Sequence, residues 1–394
     1  MRASRIVLTL FFFADGLLIG SWASRIPAVQ TQAGLTNTRL GFALFAASLG
    51  ALVAMPFAGR LCERVGSRRV TVAALVVAAA SLFGASNAGG FATLGLALLG
   101  FGVGFGSINV AANAQGIALE RLYGRGIFSS FHAAFSLGAM AGAALGALAA
   151  RLEVTPRAHL GTLALIVAVA ALALGRMLLA PVTGAFAPQR LLVRPPRALL
   201  VLGAAAFCTL LAEGSAADWS ATYLAQSVRT TAAVAGLGYA MFAFAMATSR
   251  TLGDRLNHRF GPVALVRAGG VLAACGLTGA LVANSVPVAL VGFAAMGAGV
   301  GVQVPLLFRA GGSTPGMSPS TGVAAVSTIG WLGFLAGPPV IGLAAGAVGL
   351  RAALGIVVVA LVTLVFLARS ASPRRGQAPA TRPVPEMPTG VHAA

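Results

Sequence analysis

The feature that most restricts the fold of this chain is a series of twelve apolar segments, each long enough to cross a lipid bilayer. A membrane-spanning helix needs about 20 predominantly apolar residues. The segments run over 6–28, 40–59, 70–88, 91–119, 127–150, 157–179, 198–225, 231–249, 262–283, 286–309, 322–347 and 350–369. Charged residues make up 9% of the chain, whereas soluble domains carry about 25%. The sequence therefore predicts an all-α integral membrane protein with twelve transmembrane helices.

The spacing of these segments divides the chain into two halves. The longest polar interruption is rich in proline and arginine and lies between the sixth and seventh segments. We expect an N-terminal six-helix bundle at 1–180, a cytoplasmic linker at 181–197 and a C-terminal six-helix bundle at 198–369. Residues 370–394 have the composition of a disordered cytoplasmic tail. The first segment lacks a small-residue cleavage site, so we interpret it as a retained helix and not as a signal peptide.

The distribution of arginine predicts the orientation. The formal net charge is +19, which in a soluble protein would indicate nucleic acid binding. Here the basic residues lie in the connections, and 21 of the 27 fall on the side that also holds both termini. Connections rich in arginine stay in the cytoplasm. We therefore expect both termini in the cytoplasm and no nucleic acid partner.

Glycine is abundant, with 51 residues, and is concentrated in three runs at 100–106, 138–146 and 297–302. In lipid, helices associate through close packing of small residues. The runs therefore predict helix contact faces.

Two charged stretches carry a family resemblance. Residues 59–69, GRLCERVGSRR, lie between the second and third segments, and a degenerate copy, RTLGDRLNHRFG, lies at 250–261. We interpret the first stretch as a short cytoplasmic turn. It resembles the signature loop of the major facilitator superfamily, and two copies half a chain apart are typical of a transporter built from repeats. The matching positions are Gly59, Leu61, Arg64, Gly66 and Arg68, while Glu63 replaces the usual aspartate and Ser67 a basic residue.

The resemblance implies a fold and a mechanism. The stretches GSWASRIPAVQ (20–30) and EGSAADWSATYL (213–224) look like a poorly characterised bacterial inner-membrane branch of the superfamily, loosely similar to fucose-type permeases. Members of the superfamily form two six-helix bundles around a cavity between helices 1, 4, 7 and 10, and they work by alternating access. The resemblance implies gating roles for the signature residues Gly59, Glu63, Arg64, Gly66 and Arg68, and for Asp254 and Arg255 in the second copy.

Three of the eight acidic residues lie within apolar segments: Asp15, Glu213 and Asp218. A charge at membrane depth is costly and usually faces a polar cavity or a partner. Asp15 and Glu213 occupy similar depths in helices 1 and 7, so we expect them to bind protons or solute; the alternative is a structural hydrogen bond to a neighbouring helix. Arg25 and Asp218 lie nearer the outer surface and are expected to form an outer gate pair, unless both are solvated.

Further polar side chains are candidates for the cavity. Asn109 and Asn113 share one face of helix 4, and His132 shares a face of helix 5 with two serines. Asn109 and Asn113 can bind solute or hydrogen-bond another helix. His132 can relay protons or simply bond to a neighbouring serine. Trp22, Gln303 and Trp331 complete the set of candidate cavity residues.

These patterns predict a secondary active transporter of a small polar or amphipathic solute. No G-x-x-x-x-G-K-S/T stretch for ATP binding is present, so protons are the expected driving ion. The alternatives are a drug or metabolite exporter of the same fold, or a membrane sensor or scaffold that transports nothing. We expect no enzymatic activity, no metal and no cofactor. The resemblance implies a monomer in the bacterial plasma membrane, and it leaves the substrate and the direction of transport open.

Overall fold

The computed structural model describes residues 1–180, 196–315 and 318–372, which are helical with no strand. Twelve helices within these ranges are long and apolar enough to span a membrane. In chain order they are α1 (Arg2–Gln32), α2 (Asn37–Val65), α3 (Ser67–Ser86), α4 (Phe91–Tyr123), α5 (Phe128–Arg151), α6 (Pro156–Leu174), α7 (Arg197–Gln226), α8 (Ala232–Phe260), α9 (Pro262–Ala283), α10a (Val286–Val300) with α10b (Gln303–Gly312), α11 (Pro319–Val348), and α12a (Leu350–Ala353) with α12b (Gly355–Leu367).

The twelve predicted spans and the all-helical fold are confirmed. The predicted linker at 181–197 and tail at 370–394 fall largely outside the described residues.

The two ends of the helices are named here by their composition. The arginine-rich face is the end at which α1 begins and which carries Arg2, Arg5, Arg60, Arg64 and Arg69. The opposite face is the end at which α1 finishes and α2 begins.

The charged stretch at 59–69 is helical except at one residue, so the prediction of a turn over the whole stretch is wrong. Gly66 alone connects α2 to α3, with a φ of 89°, and Gly261 connects α8 to α9 with a φ of 77°. Glycine adopts positive φ without steric strain. The arginines lie on the last turns of α2 and the first turn of α3, where their long side chains reach water from a helical backbone.

The halves of the chain pack through the same pairs of helices. In α1, a Cβ on Gly16 or Gly20 would overlap the α5 backbone at Phe135 or Ala139, and a Cβ on Gly333 of α11 would overlap the α7 backbone at Phe207. Helix pairs α1–α5 and α7–α11 are therefore equivalent contacts of the two bundles.

The helix pairs α2–α4 and α8–α10 repeat this close approach. A Cβ on Gly102 would lie 1.8 Å from the carbonyl oxygen of Ala47, and one on Gly297 would lie 2.1 Å from that of Phe242. The glycine runs at 100–106, 138–146 and 297–302 are thus helix contact faces, as predicted.

The tenth helix is broken near its middle, which the sequence analysis did not predict. α10a ends at Val300 and α10b begins at Gln303. Pro305 lacks the backbone N–H that would bond the carbonyl of Gly301, four residues earlier. The break leaves carbonyl groups free near the middle of the C-terminal bundle, and α8 uses them.

Candidate functional site

The two bundles meet closely between α2 and α11. Pro338 has no N–H to offer the carbonyl of Phe334, and Ser48 of α2 donates to that carbonyl instead, at 3.0 Å. Thr38 donates to the carbonyl of Gly342 at 3.2 Å, and Gly41 lies directly against Pro338. Pro338 therefore exposes the carbonyl of Phe334 to the other bundle.

Three side-chain amides form a closed ring between the bundles at the opposite face. Gln30 of α1 donates to Asn37 at 2.8 Å, Asn37 donates to Gln226 of α7 at 3.0 Å, and Gln226 donates back to Gln30 at 3.0 Å. We call these three residues the amide ring. Within the ring each amide donates once and accepts once, and Gln30 also donates to the carbonyl of Leu35 at 3.1 Å. The ring therefore joins the bundles without any charge. It was not predicted from the sequence.

The bundles separate toward the arginine-rich face. Within the described ranges, no hydrogen bond between the bundles lies closer to this face than that of Arg250 to Ser136. Four of the predicted gating residues are exposed and form no ion pair in this part of the chain: Glu63, Arg64, Asp254 and Arg255. Arg68 donates to the carbonyl of Arg176 in its own bundle. We interpret the space between the bundles at this face as an opening, because no hydrogen bond between described residues of the two bundles crosses it there.

An ion pair stands at the inner end of this opening. Arg250 of α8 contacts both carboxylate oxygens of Glu213 of α7 at 3.4 Å, and it is the only ion pair that the described residues form. Arg250 also donates to the freed carbonyl of Gly301 at 3.1 Å and to Ser136 of the N-terminal bundle at 3.5 Å. One guanidinium therefore joins α5, α7, α8 and α10.

Arg250 was expected in a cytoplasmic connection, and that prediction is wrong. The predicted eighth span ended at residue 249, whereas α8 continues to Phe260. The signal that could have located Arg250 is Pro305, because a proline inside a span frees a carbonyl that a buried donor can satisfy.

Asp15 lies in the N-terminal bundle at a depth comparable to that of the Glu213–Arg250 pair. It is next to Gly16, which packs on Phe135 of α5. Its side chain is buried, and no hydrogen bond or ion pair from any described residue reaches it. A buried carboxylate without a partner is costly. The group therefore needs a proton, a cation or a donor supplied from outside the protein.

The predicted outer gate between Arg25 and Asp218 is not formed here. Arg25 is buried and donates to the carbonyl of Val154 in the turn between α5 and α6, at 2.6 Å, and Asp218 forms no ion pair within the described ranges. The carbonyl of Val154 lies in the same bundle as Arg25, so the guanidinium finds a hydrogen-bond acceptor without a partner from the other bundle. The hydrogen bonds between the bundles at the opposite face are instead those of the amide ring.

The remaining predicted cavity residues fall into two groups. Asn109, Asn113 and Trp331 are partly exposed; Asn113 donates to Asn109 at 3.4 Å, and Trp331 lies against Phe334. Trp22 is buried, and Gln303 is fully buried, where it accepts from Thr209 of α7 at 3.0 Å. Gln303 therefore packs inside the C-terminal bundle and not along the opening.

His132 lies between two aromatic rings of the N-terminal bundle, with ring centroids 5.5 Å from Phe12 and 5.0 Å from Phe128. It is partly buried and interacts electrostatically with Arg250. Its backbone carbonyl accepts from Ser136. His132 therefore lies near the ion pair without bonding to it.

The amide ring gives a prediction about the closed face. Gln226→Leu removes two of the three ring bonds, each worth about 0.5–1.5 kcal/mol, so we expect the open fraction at this face to rise about 5- to 150-fold. The measurement is the distance between spin labels on Ala92→Cys and Ala283→Cys, at the ends of α4 and α9, in a background without Cys62, Cys208 and Cys275.

The matched control is Gln32→Leu, which loses bonds to Ser86 and Ala88 within one bundle. We expect it to leave the distance distribution unchanged. Equal effects of the two variants would show that the ring does not hold the face closed.

Comparison with known proteins agrees with this architecture. The family model of the Major Facilitator Superfamily matches residues 6–212. An uncharacterized MFS-type transporter of Yersinia pestis is 34% identical over 370 residues, covering 93% of this chain and 96% of that protein. The chain therefore belongs to the Major Facilitator Superfamily, and it is a membrane transporter, not an enzyme.

Solved structures of low sequence identity share the fold. A D-xylose–proton symporter superposes with a TM-score of 0.71 at 16% identity, covering 93% of this chain and 97% of that one. FucP, a superfamily transporter solved in the outward conformation, gives 0.63 at 19% identity, covering 93% and 98%.

Proposed function

We propose that the protein carries a small polar solute across the bacterial plasma membrane in exchange for, or together with, protons. The observation that carries this proposal is the Glu213–Arg250 pair, placed where the opening between the bundles ends and joined to both of them. Ionisable pairs inside a membrane protein typically lie on a solute or proton path. The proton coupling of the xylose symporter supports the proposal by analogy.

Proton coupling assigns a role to Glu213. In the charged form it compensates Arg250; when protonated it releases the guanidinium and removes one of the contacts that connect α7 to α8 and, through Arg250, to α5. The titratable groups that interact electrostatically with the pair are Tyr239 of α8 and His132 of α5, and Asp218 of α7 interacts with Tyr239. Asp15, which lacks a partner, is the second proton- or cation-binding group.

The orientation follows from the arginines. The arginine-rich face is assigned to the cytoplasm, so the conformation described here is open to the cytoplasm and closed to the outside by the amide ring. In the alternate conformation the signature residues Glu63, Arg64 and Arg68, with Asp254 and Arg255, close the cytoplasmic face. The transporter is assigned as a monomer.

The test is a flux measurement in proteoliposomes that enclose a pH-sensitive dye. Sugars, organic acids and cationic drugs are added singly to the wild-type protein and to Glu213→Gln. We expect proton movement that depends on one class of solute and is reduced at least tenfold in the variant.

Each other result has a defined meaning. Solute flux without proton movement would contradict proton coupling. Flux of cationic drugs alone would indicate a drug exporter and contradict a transporter of polar solutes. No flux with any class would contradict transport of these solutes and favour a sensor or scaffold.

A further inference from the structure

Several hydrogen bonds hold Arg250 in place, but they are long and do not use all of its N–H groups. Its Nη2 atom lies 3.4 Å from each Glu213 oxygen and its Nη1 atom 3.5 Å from Ser136, whereas charge-assisted hydrogen bonds between guanidinium and carboxylate are about 2.7–2.9 Å long. A guanidinium has five N–H groups. Arg250 forms four hydrogen bonds, one from Nε, one from Nη1 and two from Nη2, so the second N–H of Nη1 remains available, and the N–H groups of Nη2 become available when Glu213 leaves.

The position of Arg250 leaves these groups accessible. Its side chain is 26% exposed, and its contacts with α5, α7 and α10 enclose it on three sides. We take its exposed side to face the opening, because no hydrogen bond between described residues of the two bundles lies closer to the arginine-rich face. A solute that enters the opening therefore reaches the guanidinium before it meets the closed contacts between α2 and α11.

Other arginines within the bundles are satisfied differently. Arg25 donates to the carbonyl of Val154, and Arg351 donates to the carbonyls of Leu281 and Val282, each inside its own bundle. Among the described residues, Arg250 alone pairs with a carboxylate and touches both bundles. Arg250 is therefore placed to bind a ligand, whereas Arg25 and Arg351 only satisfy backbone carbonyl groups of their own bundle.

We propose that Arg250 binds the carboxylate or phosphate group of a small, water-soluble anion, which takes the place of Glu213 on the guanidinium. The planar guanidinium binds these groups through two parallel hydrogen bonds. The partly exposed amides of Asn109 and Asn113 offer hydrogen bonds to the polar remainder of such a solute. This inference rests on the proposed function and names the substrate class.

Charge balance links the anion to a proton. Arg250 and Glu213 together are neutral, so a bound monoanion leaves one uncompensated negative charge unless Glu213 takes up a proton. The titratable groups that interact electrostatically with the pair are Tyr239 on α8 and His132 on α5, while Asp218 on α7 interacts with Tyr239. The tenth helix presents the carbonyl of Gly301, and α11 presents the ring of Phe334 against Gly214. One proton therefore accompanies each monoanion.

The test measures anion binding by the purified protein in detergent, without transport. Thermal unfolding is followed while sodium acetate or inorganic phosphate replaces sodium chloride at constant ionic strength, because a ligand that binds only the folded state raises the melting temperature in a saturable way. In Glu213→Gln the competing carboxylate is gone. We expect its half-saturating acetate or phosphate concentration to be at least tenfold below that of the wild type.

The controls separate a specific site from a general salt effect. Arg250→Gln is expected to lose the saturable shift, whereas Arg39→Gln, which changes an exposed arginine at the opposite face, keeps it. If Arg250→Gln does not fold, Arg250→Lys replaces it: the charge remains, but the paired hydrogen bonds are lost, so we expect affinity at least tenfold below wild type.

Several outcomes would overturn the proposal. These are a shift of equal size without Arg250, no tighter binding in Glu213→Gln, no saturable shift with either anion in that variant, or protection by phosphatidylglycerol alone, which would indicate a lipid headgroup. Proton-coupled flux of an uncharged solute that persists in Arg250→Gln would also overturn it while leaving the proposed function intact.

Discussion

Replacing Glu213 by glutamine is expected to abolish proton-driven accumulation of solute while preserving exchange of solute across the membrane. A one-unit pH gradient supplies about 1.4 kcal/mol per proton, or about tenfold accumulation. Glutamine keeps an oxygen that accepts from Arg250 but carries no titrating proton. We therefore expect the accumulation ratio to fall from about ten to about one, measured with labelled solute in proteoliposomes.

An exchange measurement and a matched substitution distinguish a loss of proton coupling from a general loss of transport. Counterflow needs no net proton movement, so Glu213→Gln should exchange solute at a rate within a few-fold of wild type. Glu153→Gln alters an exposed acid in the turn after α5 and should accumulate normally. Tenfold accumulation by Glu213→Gln would assign the coupling to another group, with Asp15 the next candidate.

Replacing Gly102 by alanine is expected to destabilise the N-terminal bundle strongly. The new Cβ would lie 1.8 Å from the carbonyl oxygen of Ala47 and 2.7 Å from its carbonyl carbon, both backbone atoms of α2. A forced shift of packed backbone costs about 1–3 kcal/mol or more. We expect a melting temperature several degrees lower in detergent, with a smaller monodisperse fraction.

Gly95→Ala is the matched control in the same helix. Its Cβ would meet no atom within 4 Å, and alanine is favoured over glycine inside a helix by about 1 kcal/mol. Helix propensity alone thus predicts that alanine stabilises the protein at both sites. At Gly102 the contact with α2 makes the substitution destabilising instead. Equal melting temperatures for the two variants would contradict the close approach of α2 and α4.

The sequence was sufficient for features that depend on local composition. Apolar length located the twelve spans, and runs of glycine located the helix contact faces, because both are set by the bilayer and by side-chain size. The superfamily signature at 59–69 indicated the family, although its backbone is helical up to Gly66. These inferences need no knowledge of which helices lie side by side.

The features that the sequence did not reveal depend on pairs of distant residues. Arg250 looked like a loop residue because its partners, Glu213 and Gly301, lie 37 and 51 residues away. The predicted gate relied on opposite charges, Arg25 and Asp218, and overlooked three uncharged amides that bond across the bundles. Neutral hydrogen-bonding groups carry no pattern in sequence by which their partners can be recognised.

The measurement that most directly tests alternating access is a pair of distances across the two faces in the same lipid bilayer. Spin labels on Ala92→Cys and Ala283→Cys report the opposite face, and labels on Leu122→Cys and Ala264→Cys, on the same two helices α4 and α9, report the arginine-rich face. Changing pH and adding a transported solute should lengthen one distance as the other shortens. Two distances that stay fixed, or that lengthen together, would contradict the account.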